Sequence, residues 1–88
     1  MSAASYAWAK IINYLEEQLT STVVSSFFED TEVMEITEDK VILYTPNEFH
    51  KSIIERRYAA YVEDALKELF NSNAKVQVFG DKERDEYL

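Results

Sequence analysis

Cysteine is absent, which excludes a disulfide framework and any thiolate metal site. Glycine occurs once, at Gly80, so the chain holds no GxGxxG, GxxxxGK[ST] or GxSxG motif. A GXXG phosphate clamp of the KH type is missing for the same reason. One histidine, His50, stands without the nucleophile or further ligands that a catalytic triad or a metal centre needs. Basic residues are scarce: nine against 17 acidic ones, a net charge of −8. Nucleic-acid phosphates select the opposite sign, so tight general DNA or RNA binding is not expected. No apolar run approaches the roughly 18 residues of a membrane span. The stretch Met1 to Tyr6 lacks the basic segment and apolar core of a secretory signal. A soluble, cytoplasmic chain with no cofactor, no metal and no membrane contact is the expectation.

What is present is patterned. Eighty-eight residues suffice for one domain. Over residues 3–19, Trp8, Ile11, Ile12, Leu15 and Leu19 recur at helical spacing, with Tyr14 off that stripe as a surface aromatic. Thr20-Ser21-Thr22 breaks the helix. Val23, Val24, Phe27 and Phe28 then give one apolar face to a second helix over about 21–30. Val33, Met34 and Ile36 suggest a strand within 31–38. The polar turn Glu38-Asp39-Lys40 leads to a second apolar strand, Val41 to Tyr44, and the two read as a hairpin. A long helix over 47–71 follows, with Phe49, Ile53, Ile54, Tyr58, Tyr61, Val62, Ala65, Leu66, Leu69 and Phe70 on a broad apolar face. Lys75 to Phe79 alternates like a half-buried strand, Val76 and Val78 on one face. The order α-α-β-β-α-β predicts an α+β domain over 1–80, its three-stranded sheet covered by helices on one face. Residues 81–88 carry six charges and no evident pattern, and read as a tail or the start of a linker.

The segment Tyr44-Thr45-Pro46-Asn47-Glu48-Phe49 joins the hairpin to the long helix. Pro46 cannot donate to a strand ladder and keeps Thr45 out of helical dihedrals. Asn47 is a favoured helix N-cap, and Glu48 complements the positive end of the helix dipole. Phe49 is left in the first turn, either stapling the helix to the core or facing a partner. Trp8 poses the same choice between core residue and interface anchor, and Phe28 reads as flanking the core. Lys51, Arg56 and Arg57 form the densest basic group; a charged helix face balanced by Glu48 and Glu55 competes with weak single-strand contact. The adjacent acid pairs, such as Glu16-Glu17 and Glu63-Asp64, point in different directions on a helix and read as solvated. No constellation meets the geometric roles of an enzyme site.

Taken together, these motifs resemble the N-terminal domain of the bacterial chromosomal replication initiator DnaA. The resemblance rests on Trp8, Leu19, Phe27-Phe28, the run Val41 to Tyr44, the Tyr44 to Phe49 corner and Ile53 to Tyr58, and it covers about residues 6–79. It implies a KH-like domain without catalytic activity. That domain would mediate self-association at the origin and recruit the replicative helicase and initiation regulators, joined by a linker to other domains. Trp8 matches the family's self-association aromatic. Phe49 matches the residue of helicase contact and weak single-stranded DNA binding. The second helix, with Val23 and Phe28, carries further helicase and regulator contacts. Val23 departs from the family's acidic contact position, and Phe27 stands where a tryptophan is usual. Two other readings compete: a free-standing KH-like single-strand-binding module, and a small adaptor that copies the initiator domain.

Overall fold

The computed structural model describes residues 2–88; the first position of the expected 1–80 domain, and of the stretch read as no secretory signal, lies outside the described residues. Helix α1 spans Ala3–Gln18, and the Ser2 hydroxyl caps it by accepting from the Ser5 amide. Helix α2, Ser21–Phe28, begins at Thr20, whose hydroxyl accepts from the Val23 amide at 3.0 Å. These are the capping residues that interrupt the helical pattern between the two elements.

Strands β1 (Glu32–Ile36) and β2 (Lys40–Tyr44) pair antiparallel. Their turn lacks Asn-Gly; the Thr37 hydroxyl builds it instead, accepting from the Asp39 and Lys40 amides. The register shifts between Val33 and Glu35, a bulge that leaves Met34 as the extra residue. That bulge lets Val33 and Ile36, three positions apart, both pack against the core, which a regular strand forbids.

After the Pro46 corner come three helical pieces without a loop: α3 (Glu48–Ile53), a wide π-helical turn (Ile54–Tyr58) and α4 (Ala59–Phe70). The Ala59 amide reaches back five residues to the Ile54 carbonyl. Asn71 ends α4 in the left-handed region at φ 54°. Strand β3 (Lys75–Phe79) then returns parallel to β2, so the sheet order is β1-β2-β3. The expected α+β order α-α-β-β-α-β is thus present.

Ile11, Leu15, Val24, Phe28, Val41, Leu43, Ile54, Val62, Ala65, Leu66, Ala74 and Val78 form the core between the sheet and α1, α2, the π-helical turn and α4. Ile42 is fully buried yet stands outside this cluster, because alternation along β2 turns it to the opposite face. There the structure departs from the expectation of a patternless tail with one covered face. Asp81–Tyr87 form a helix, α5. Asp81 accepts from the Tyr44 hydroxyl, Arg84 lies 4.5 Å from the Tyr44 ring, and Tyr87 packs its ring on Phe79 at 5.5 Å and donates to Glu35. Asp81, Arg84 and Tyr87 recur every three residues, so a helical face was written in the segment beneath its charge. Gly80 makes the turn between β3 and α5, where a Cβ would run into the Glu48 carboxylate.

Candidate functional site

The corner from Thr45 to Phe49 is held from several sides. Thr45 is completely buried; its amide donates to the Phe79 carbonyl at 3.0 Å, and its hydroxyl donates to Asp30 at 3.2 Å. The same hydroxyl accepts from the Asn47 amide, and the Asn47 side chain accepts from the His50 amide at 2.9 Å. Asp30 also meets His50 Nδ1 at 3.2 Å, tying the end of α2 to the start of α3. His50 is therefore a tether between two helices rather than a plain surface residue.

Phe49 emerges from this fixed start 65% exposed. Its ring lies 6.5 Å from Phe27 and 6.2 Å from His50, and Phe27 contacts Tyr58 at 5.5 Å. Tyr58 in turn meets Phe28 at 6.1 Å, and Phe28 meets Trp8 at 6.1 Å. An aromatic string thus runs from the exposed Phe49 through α2 into the core and out to α1. Offset and tilted ring pairs of this kind add about 0.5–1.5 kcal/mol each beyond area burial. The sequence named most of these residues but gave no sign of the Asp30–His50 tether or of Phe27 as the junction, since both join segments distant along the chain.

The remaining candidate positions separate. Phe28 is 3% exposed, so it fills the core and is withdrawn from the contact surface. Its ring sits between Trp8 and Tyr58, and the little surface it keeps lines the Trp8 groove. Trp8 is half-buried at the core edge and lines a shallow groove with Ile12, Glu16 and Ser25. Val23 is half-buried on α2. Lys51 leaves the free basic group: its Nζ sits 3.6 Å from Glu55 and 3.8 Å from Glu83, with the side chain 18% exposed. Arg56 and Arg57 are exposed on the wide turn beside Ile53 and make no ion pair among the described residues.

Tyr14 is half-buried rather than a surface aromatic. Its pKa is raised first by loss of solvent and then by the nearby Glu68, Asp64 and Glu17 carboxylates. Among the described residues no three His, Asp or Glu side chains gather in a metal-binding set. No helix there is long and apolar enough to cross a membrane.

The family model of the DnaA N-terminal domain matches residues 5–68. The chain belongs to the DnaA N-terminal domain family. It is similar to the chromosomal replication initiator protein DnaA of Caldanaerobacter subterraneus subsp. tengcongensis, 27% identical over 78 residues, covering 89% of this chain and 18% of that protein. The same protein of Picosynechococcus sp. is 26% identical over 73 residues, covering 83% and 16%. That of Symbiobacterium thermophilum is 29% identical over 73 residues, covering 83% and 16%. The chain spans less than a fifth of the length of these relatives. The matched residues include most of α1, α2, the hairpin, the corner at Pro46 and the wide turn, so the aromatic string from Trp8 to Tyr58 lies within the matched span.

Proposed function

We propose that this replication-initiator domain is a non-catalytic interaction module that binds other initiator copies and captures the replicative helicase and initiation regulators. The observation that carries the reading is Phe49: a large aromatic kept 65% exposed on a helix start that Asn47, Thr45 and Asp30 hold rigid. A fixed exposed aromatic loses little conformational entropy on binding, which is the economy of an interface anchor. Phe27 adjoins it on α2 and Val23 lies one turn before Phe27, so the docking surface is apolar and spans two helices. Trp8, on the far side of α2 and only half-buried, is the anchor for self-association.

The test is helicase capture by the immobilised domain. Phe49→Ala should abolish capture while the fold persists, and Trp8→Ala should lower the sedimentation-derived association constant without ending cooperative melting. Undiminished capture by the Phe49 variant would refute the assignment. A second reading has one observation in its favour: Arg56 and Arg57 make no ion pair among the described residues beside Ile53, as a backbone contact for single-stranded DNA requires. It predicts weak oligonucleotide binding that falls steeply with salt, and the net charge of −8 keeps it weak.

A further inference from the structure

The two edges of the sheet are treated differently. The outer edge of β1 is disrupted by the bulge at Met34, a common protection against further pairing. The outer edge of β3 runs straight. Its pairing with β2 fixes which groups face outward. Lys75 donates to the Asp39 carbonyl and Phe79 accepts from the Thr45 amide, so Lys75, Gln77 and Phe79 bond toward β2. Val76 and Val78 therefore aim their backbone groups away from the sheet. Glu63 closes one end by accepting from the Val76 amide at 2.9 Å. Glu83 closes the other by accepting from the Gly80 amide at 2.7 Å. Between these two carboxylates, the Val78 amide and the Val76 and Val78 carbonyls have no hydrogen-bond partner among the described residues.

Val76 and Val78 line a groove of about 430 Å³ together with Gln77 and Phe79. Lys51, Glu55 and Ala59 form its helical wall, and Glu83 of α5 forms its end. Lys51 is already committed to Glu55 and Glu83. Glu55 and Glu83 line the groove against the single ammonium of Lys51, and Glu63 stands at the far end of the strand, so the groove is acidic.

We propose that the β3 edge docks an extended, basic segment of a partner protein, which joins the sheet as a short fourth strand. One partner residue opposite Val78 gives and takes a hydrogen bond there, and the next amide two residues on donates to the Val76 carbonyl. Lysine or arginine side chains on that segment meet Glu55, Glu63 and Glu83. A second copy of this chain is the poorer occupant, because each copy brings a net charge of −8 to an edge already lined by acids. None of the Phe49 string takes part, so this surface is separate from the one proposed above.

The experiment is amide hydrogen exchange by NMR on the 88-residue chain, with and without a capped Lys-Val-Lys-Val-Lys peptide. In the dilute free protein the Val78 amide should exchange quickly while those of Gln77 and Phe79 exchange slowly. Saturating peptide should slow Val78 by at least about tenfold. A peptide of the same sequence with N-methylated backbone should leave Val78 fast, since it keeps the charge while its methyl groups block strand approach and remove the donors to the Val76 and Val78 carbonyls. Glu55→Gln should weaken the unmodified peptide by about two- to fivefold, the range of one exposed charge pair. The proposal is overturned if Val78 is already slow in dilute protein, if the methylated peptide protects it equally, or if protection rises with protein concentration alone, which would mark a pairing of two copies.

Discussion

Phe28 and Phe49 are both phenylalanines on the same aromatic string, and replacing each with alanine separates packing from display. Phe28 is 3% exposed and touches the Trp8 and Tyr58 rings. Removing a buried phenylalanine costs about 3–5 kcal/mol, because the surrounding rings collapse only partly into the space. Phe49 is 65% exposed, so about a third of its surface is covered. A phenylalanine has about 200 Å² to bury, and a third of that at about 25 cal/mol per Å² gives about 1.7 kcal/mol. Residual compactness of the unfolded chain lowers this to about 1 kcal/mol. For a domain of this size each kcal/mol moves Tm by about 4–8 °C. Phe49→Ala should therefore melt within about 8 °C of the parent, and Phe28→Ala at least about 12 °C below it. Far-ultraviolet circular dichroism with a two-state fit measures both. Equal shifts would refute the reasoning, since Phe49 would then be a core residue and the exposed anchor would not exist.

The other predictions concern the parts of the fold that the sequence pattern left out. Ending the chain after Gly80 removes α5 and uncovers Ile42, which is fully buried on that face; denaturant unfolding should show a loss of up to about 1.5–3 kcal/mol, and an unchanged midpoint would show that α5 covers nothing. The docking of α5 should also be bounded by pH. The Gly80 amide holds the Glu83 pKa below its ordinary 4.5, so this stabilisation is present above that value and is lost as pH falls through the lower folded pKa. Hydrogen bonds to Asp81 and Glu35 raise the Tyr44 and Tyr87 pKa above 10.0, so theirs is present below that value and is lost as pH rises through the raised folded pKa. NMR titration of the Gly80 amide and of the two tyrosine rings reads both limits, and a Gly80 midpoint at or above 4.5 would contradict the first. Deleting Arg57 should convert the wide turn to ordinary helix and leave a cooperatively melting domain, whereas deleting Asp64 within α4 should not; equal damage from the two would show that the wide turn does not set the register of α4.

Much of the fold was legible because burial follows short-range periodicity. The boundaries of β2 and β3, the Thr20 break and the Asn47 cap all come from residues whose preferences are local. The place of Phe49 on the first helical turn was legible for the same reason, since Pro46 and Asn47 fix where the helix starts; whether it faced the core or solvent was not. Burial at Phe28 was not legible, since a helix with apolar residues at both 27 and 28 does not say which one faces inward. The Asp30–His50 tether and the Glu63 cap on β3 join residues 20 and 13 positions apart, beyond any periodic signal. Residues 81–87 were obscured by charge, although Asp81, Arg84 and Tyr87 already shared a face.

The wide turn explains the largest mismatch between pattern and structure. Ten apolar residues between Phe49 and Phe70 were read as one broad face, yet Tyr61, Leu69 and Phe70 are 38%, 40% and 42% exposed. An α-helix advances about 100° per residue, so the eight steps from Ile54 to Val62 would leave the two about 80° apart. Both are nonetheless completely buried in one core. The i→i+5 turn at Ile54–Tyr58 absorbs one extra residue and brings Val62 and Leu66 back beneath Ile54. Tyr61 is rotated outward in exchange, and Tyr58 is set against Phe27 and Phe28. The face looked broad because it is two faces, one on each side of an inserted residue. That insertion places Tyr58 at the junction of the aromatic string. It also puts Arg56 and Arg57 on the outside of the turn, so the irregularity that blurs the sequence pattern shapes the candidate surface.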